Sequence, residues 1–119
     1  MIVLGIPDVH LREYMFKRAA EIMRSRHIDV CVCFMDIADD WGRENDIEAY
    51  IRAYDAAIEF AKEFPNTLWC WGNHDISYVW KCIESGYSVF ASDIVRKKII
   101  ELIKSLPDPK QMAFIHRLD

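Results

Sequence analysis

The sequence predicts an α/β domain with a mostly parallel sheet and helices on both of its faces. The predicted strands are continuous apolar runs, without the alternation of a sheet that faces water on one side. Between these runs, apolar residues recur every three or four positions, which is the spacing of amphipathic helices. Because 119 residues fit one small domain, we expect residues 1–119 to form a single domain without linker or repeat.

Four apolar runs mark the predicted strands. They cover residues 2–6, 30–35 and 67–71, and a last strand is predicted at residues 112–115. The first three runs all pass directly into acidic or polar residues, where a buried strand is expected to stop.

The segments between the strands predict four helices. A first helix is predicted over residues 11–26, where apolar side chains line one face. The second begins after Asn45, because Glu48 three residues later completes a pair that resembles a capping box. A short helix at residues 77–84 and a longer one at residues 93–106 follow the third strand.

Composition excludes several classes of protein. Just over half of the residues are hydrophobic (52%), so a disordered chain is not expected. The formal net charge of −4, without any basic stripe, argues against a nucleic-acid partner. Residues 2–6 are too few for a signal peptide, and no stretch approaches the roughly 20 apolar residues of a membrane span. We therefore expect a cytoplasmic protein with no membrane partner.

The four cysteines fit reduced, structural thiols rather than a zinc site. None of them forms a C-x-x-C pair, the spacing typical of zinc ligands: Cys31, Cys33, Cys70 and Cys82. Cys31 and Cys33 lie two residues apart in a predicted strand, so both should face the same side as small buried hydrophobic residues.

Potential metal ligands follow each of the first three strands. They are carboxylates, imidazoles and one amide, in the order Asp8, His10, Asp36, Asp39, Asp40, Asn73, His74 and Asp75. The carboxyl ends of parallel strands meet at one edge of the sheet, where ligands bind in open α/β folds. We therefore expect these side chains to share one crevice.

Clustered carboxylates repel one another unless a proton or a cation joins them. Carboxylate oxygens mixed with imidazole nitrogens suit divalent Mn, Fe or Zn. A single aspartate at a strand end is commonly only a turn residue or a helix cap, so the prediction depends on all three strand ends together. A receiver-like signalling domain also gathers acids at strand ends, but it would need an acidic pair where this chain has Asp8 and His10.

Taken in order, the motifs Asp8-x-His10, Asp36-x-x-Asp39 and Gly72-Asn73-His74-Asp75 resemble the signature of the calcineurin-like metallophosphoesterases. The resemblance covers about the first two-thirds of the chain, and its nearest branch is that of the bacterial and phage serine/threonine protein phosphatases. It implies the N-terminal part of the metallophosphoesterase sandwich and a hydrolase that uses two divalent metal ions.

The resemblance also implies a role for each matching residue. Asp8 and His10 would hold the first metal ion, Asp36 would bridge both ions, and Asn73 would bind the second. His74 would be the general acid that protonates the leaving oxygen. Asp39 would be the second catalytic residue, because it would orient His74 by a hydrogen bond. A hydroxide activated by the two metals would attack a phosphate ester, such as that of a phosphoprotein.

Two further residues concern the substrate and the late ligands. Phosphatases of this branch often carry an arginine after the second aspartate. Here that position is Asp40, so Arg43 is a weak candidate for substrate binding, with a solvated loop arginine as the alternative. The family's later G-H-x-H motif does not occur, and His116 is either a strand residue upstream of a missing ligand or a stand-in for one.

The sequence also departs from the family at two glycine positions and at its end. Leu11 and Met35 occupy positions where the family has glycine beside the metals. We expect a C-terminally truncated domain whose isolated chain hydrolyses p-nitrophenyl phosphate poorly or not at all. The alternative is a non-catalytic remnant that binds one metal, or that needs a partner chain to complete its site.

Overall fold

The computed structural model describes residues 1–119, which form an α/β domain around a four-stranded sheet. The strands are β1 (Val3–Ile6), β2 (Val30–Cys33), β3 (Leu68–Cys70) and β4 (Met112–Ala113). Their spatial order is β1-β2-β3-β4, and all three neighbouring pairs are parallel. The predicted α/β class and the parallel sheet are therefore confirmed.

Four helices connect the strands. They are α1 (Tyr14–Ser25), α2 (Ile47–Glu63), α3 (Asn73–Trp80) and α4 (Ser92–Lys104), with a 3₁₀ turn at Pro109–Gln111 before β4. None of these helices is long and apolar enough to cross a membrane.

The helices cover one face of the sheet, so the prediction of helices on both faces is wrong. One face carries the strand side chains that join the hydrophobic core: Ile6, Cys31, Cys33, Trp69 and Met112. On the other face Val3 and Phe34 remain 44% and 49% exposed. The strands follow one another in sequential order, and right-handed crossovers then place every connecting helix on the same side.

Three helix starts differ from prediction, and that of α1 lies at Tyr14 rather than at residue 11. The N-cap of α2 is Asp46, whose side chain accepts a hydrogen bond from the Ala49 amide, rather than Asn45. The third helix begins at Asn73 instead of near Ser77, so the segment after β3 forms its first turn directly. The backbone amide of His74 consequently lies in the first turn of a helix, where N–H groups have no partner within the helix and can donate to a side chain.

Candidate metal centre

The loops after β1 and β2 lie side by side at the carboxyl edge of the sheet. Beyond the strands, the amides of Val9, His10 and Leu11 donate to the carbonyls of Met35, Asp36 and Ile37 at 3.2, 2.6 and 2.9 Å. These backbone hydrogen bonds fix the loop after β1 against the loop after β2 without the help of any side chain. This arrangement brings the ligand candidates of both loops together.

Three of the predicted ligands form a compact group. One ligand atom from each of Asp8, His10 and Asp36 lies within 4.8 Å of the other two. Asp8 is exposed, whereas His10 and Asp36 are half-buried, so the group opens to solvent on one side. Such a donor set of two carboxylates and an imidazole fits a divalent transition metal ion.

The ring of His10 is oriented for ligation through one nitrogen. Its Nδ1 lies 2.8 Å from the Asp39 carbonyl oxygen and 3.1 Å from that of Ala38, so Nδ1 carries the proton and donates. The Nε2 atom of that tautomer keeps its lone pair. A backbone carbonyl that fixes the tautomer in this way is typical of histidines that bind metals.

The side chain of Asp36 is held by contacts with the segment that follows β3. Its Oδ1 accepts a hydrogen bond of 2.9 Å from the His74 amide at the start of α3. Gly72 lies beneath the same carboxylate, and a Cβ on Gly72 would overlap both Oδ1 and the backbone nitrogen of Asp36. Asp36 therefore joins the loop after β2 to the loop after β3. Asn73, exposed at the first position of α3, lies at this same edge.

His74 and Asp39 form the side-chain pair that the resemblance implied. The Nδ1 atom of His74 lies 2.9 Å from Asp39 Oδ2, and both side chains are buried. The rings of His74 and His10 meet edge to face, with centroids 5.1 Å apart. The candidate acid thus lies beside the candidate metal ligands.

Two tyrosines that the sequence did not single out as site residues also bond Asp39. The hydroxyls of Tyr50 and Tyr78 both donate to Asp39 Oδ1, and Tyr78 accepts a 2.8 Å bond from the Ser88 amide. Burial and the neighbouring Asp39 raise the pKa of both tyrosines above its ordinary value. Three donors therefore fix the carboxyl group that orients His74.

Asp75, the last residue of the third motif, has a structural role that the sequence did not reveal. It is fully buried and accepts bonds from Tyr54 Oη at 2.5 Å and from the amide of Ile37 at 3.0 Å. Burial raises the pKa of Asp75 to about 7. The residue ties α2, α3 and the loop after β2 together. The spacing of Tyr50 and Tyr54, one helical turn apart, was the only signal in the sequence for these contacts.

Backbone strain is concentrated in the two ligand loops. Seven residues other than glycine have positive φ, and all except Lys81 belong to these loops: Asp8, His10, Leu11, Met35, Asp36 and Asp39. Residues with side chains rarely adopt this conformation, and each instance costs on the order of 1–3 kcal/mol. Such strain typically collects at functional sites, where the surrounding structure compensates for it.

The positive φ values show that glycine would suit positions 11 and 35 of this chain. Leu11 has φ of 62° and Met35 has φ of 55°, a region that glycine adopts without strain. Both side chains are buried in the core. Hydrophobic burial therefore opposes the strain, and the loops keep a left-handed backbone without glycine.

The two remaining candidates lie away from the cluster or are already paired. His116 lies beyond β4, which ends at Ala113, and its Nε2 donates to the carbonyls of Gln111 at 2.9 Å and Trp69 at 3.1 Å. It is neither in a strand nor part of the ligand group. The guanidinium of Arg43 contacts Asp46 at 3.0 Å and Asp40 at 3.5 Å, so its charge is already compensated.

Comparison with known proteins gave no relative from which an identity could be taken. No protein-family model matches the sequence, and neither the curated proteins nor the solved structures include a significant match.

Proposed function

We propose that the chain carries a metal-dependent phosphoester hydrolase site. The observation that carries the proposal is the placement of the Asp8, His10 and Asp36 ligand atoms within 4.8 Å of one another, beside the buried pair of His74 and Asp39. Metal ligands alone would suit a structural ion. A histidine held by a buried carboxylate next to those ligands adds a group that can move a proton.

The donor set fits Mn, Fe or Zn, and two such ions would be held by Asp8, His10, Asp36 and Asn73 together. Divalent ions at such a site neutralise the charge of a phosphoryl group and lower the pKa of a water molecule. Asp8 and His10 would hold the first ion, and the carbonyl of Asp39 would keep His10 Nε2 available for it.

The remaining steps belong to the protein's own side chains. His74 would donate a proton from Nε2 to the leaving oxygen of the ester, since its Nδ1 is already bonded to Asp39. Asp39 would hold the ring in place and stabilise its protonated form, as an orienting carboxylate does in other acid–base sites. Tyr50 and Tyr78 would keep Asp39 from turning away.

A second candidate is a non-catalytic site that binds one metal, or a site completed by a partner chain. The observation in its favour is that the compact ligand group has three members around one position. Asp36 and Asn73 are then the ligands left for a second ion, and His116 donates to backbone carbonyls elsewhere. A second ion held by so few ligands would be positioned imprecisely, and a displacement of about 1 Å can reduce the rate of hydrolysis about a hundredfold.

Steady-state hydrolysis of p-nitrophenyl phosphate with excess Mn tests the two candidates. For the hydrolase we expect slow turnover that disappears in His74→Asn while bound Mn is retained. His27→Asn is the matched control, because His27 is exposed and bonds only Asp29. Bound Mn without any His74-dependent rate would favour the second candidate, and absence of bound Mn would exclude both the hydrolase and the one-metal site of the isolated chain.

A further inference from the structure

An exposed tryptophan borders the candidate metal centre. The ring centroid of Trp41 lies 5.3 Å from that of His10 and 5.5 Å from that of His74. The residue is nevertheless 54% exposed. Trp41 therefore contacts one candidate ligand and the candidate acid while it presents apolar surface to solvent, where a bound substrate would extend.

The indole is held in place from the side of a second loop. Its Nε1 donates to Ser85 Oγ at 3.3 Å. Gly86 approaches it closely, since a Cβ on Gly86 would lie 3.3 Å from Nε1 and 3.5 Å from Asp39 Cβ. Gly86 also has φ of 80°, which suits glycine. Contacts on both sides thus set the orientation of Trp41 before any ligand arrives.

The guanidinium on the same loop as Trp41 is not free to bind a substrate. The guanidinium of Arg43 on the same loop is paired with Asp40 and Asp46. Asp8 and Asp36 would be occupied by the cation. The organic part of a substrate that extends over this loop therefore meets the indole rather than a free Arg43 guanidinium, and an aromatic side chain favours a planar ring as its neighbour.

We propose that Trp41 stacks on the organic group of the substrate, and that the substrate class of this site is an aryl phosphate ester. The inference rests on the proposed function. In an aryl ester the ring is attached directly to the phosphate oxygen, so a phosphoryl group at the ligand cluster places the ring within reach of Trp41. A small alkyl ester has no ring to stack. A phosphotyrosine side chain and a free aryl phosphate share this chemistry.

The proposal is tested with phosphonates that cannot be hydrolysed. Phenylphosphonate and methylphosphonate are titrated calorimetrically into the protein in the presence of saturating Mn. We expect phenylphosphonate to bind about three- to tenfold more tightly, the ratio that an aromatic pair contributes. In Trp41→Leu this ratio should fall to near one while the affinity for methylphosphonate stays unchanged, and Trp41→Phe should keep most of the preference.

Trp80→Leu is the matched control, because Trp80 is 61% exposed at the end of α3 and packs on Phe114 instead. An unchanged ratio in Trp41→Leu, or equal affinities in the unmodified protein, would overturn the aryl proposal and leave the proposed function standing. Binding of neither phosphonate, with Mn bound, would overturn both. The affinities for phosphonomethylphenylalanine, free and within a short peptide, are then compared. The comparison tells whether the site prefers a free aryl phosphate or a phosphotyrosine side chain.

Discussion

The carboxylate of Asp36 lies against the bare Cα of Gly72. A Cβ at Gly72 would overlap both Asp36 Oδ1 and the Asp36 backbone nitrogen, at separations that real Cβ atoms do not show. Gly72 has φ of −83° and ψ of 151°, which any residue can adopt. Glycine is therefore required here for close approach rather than for backbone freedom, and the approach is what lets the His74 amide reach Asp36.

Gly72→Ala should reduce stability and metal binding together. The added methyl group must displace Asp36 or the start of α3, and overpacking of this kind costs about 1–3 kcal/mol. Chemical unfolding and a Mn titration measure the two effects. Gly5→Ala is the control, since a Cβ there would meet only the Phe34 side chain at 3.4 Å. A variant at Gly72 with unchanged Mn affinity would show that the contact does not position Asp36.

Asp36→Asn should lose more bound metal than any other single substitution in the cluster. Asp36 belongs to the ligand group of Asp8 and His10 and also bonds the start of α3, so it connects the two parts of the proposed centre. Bound Mn or Zn after dialysis provides the measurement, with Asp8→Asn and Asn73→Ala alongside. Glu59→Gln, an exposed change on α2, should leave metal content unchanged. Full metal retention in Asp36→Asn would contradict a shared centre.

Metal binding should raise the melting temperature. A ligand at a hundred times its Kd adds about 2.7 kcal/mol to the native state, which corresponds to about 10 °C for a domain of this size. The two ligand loops also carry strained residues and neighbouring carboxylates, which a cation would hold in place. Thermal unfolding is measured with EDTA and with millimolar Mn. Identical melting temperatures in the two conditions would contradict the proposed metal site.

Tyr78→Phe should destabilise the metal-free protein by about 1–3 kcal/mol. The substitution removes one donor to buried Asp39 and leaves the Ser88 amide without its acceptor. Tyr87→Phe is the control, because the Tyr87 ring stacks on Tyr78 at 4.3 Å but its hydroxyl makes no hydrogen bond within the protein. Denaturant unfolding compares the two. Equal effects of the two substitutions would contradict a contribution of the Tyr78 hydroxyl bonds to stability.

The buried thiols should be unreactive in the native state. Burial raises the pKa of Cys31 to about 11 and that of Cys33 well above its ordinary value, so little thiolate forms near pH 8. Cys82 is exposed and should react with a disulfide reagent at once, Cys70 more slowly, and Cys31 and Cys33 only after unfolding. Rapid reaction of all four thiols would contradict the packed core.

The same thiols imply a loss of stability at alkaline pH. A thiol with a raised pKa in the folded state keeps its proton where the unfolded chain has lost it, so its contribution is complete below about pH 9. That contribution is lost as the pH rises through about 11. Denaturant titrations at pH 8 and above measure how far the free energy of unfolding decreases, and Cys31→Ala should make that decrease smaller. A free energy of unfolding that stays constant up to pH 11 would contradict the prediction.

The sequence by itself determined the class of the fold and the location of the candidate site. Unbroken apolar runs predicted buried parallel strands, and the acidic and imidazole residues after residues 6, 35 and 71 predicted ligands at one sheet edge. These predictions depend on local periodicity and on a general property of parallel sheets, so neighbouring residues were enough to make them.

Only the tertiary structure decided the rest. Strand order is set by long-range pairing, and the sequential order put all helices on one face, which no local pattern encodes. The donation of Tyr50 and Tyr78 to Asp39 joins residues up to 39 positions apart on separate elements, which local spacing does not encode. The close contact of Gly72 with Asp36 and the left-handed backbone of Leu11 and Met35 likewise arise where separate loops are packed together.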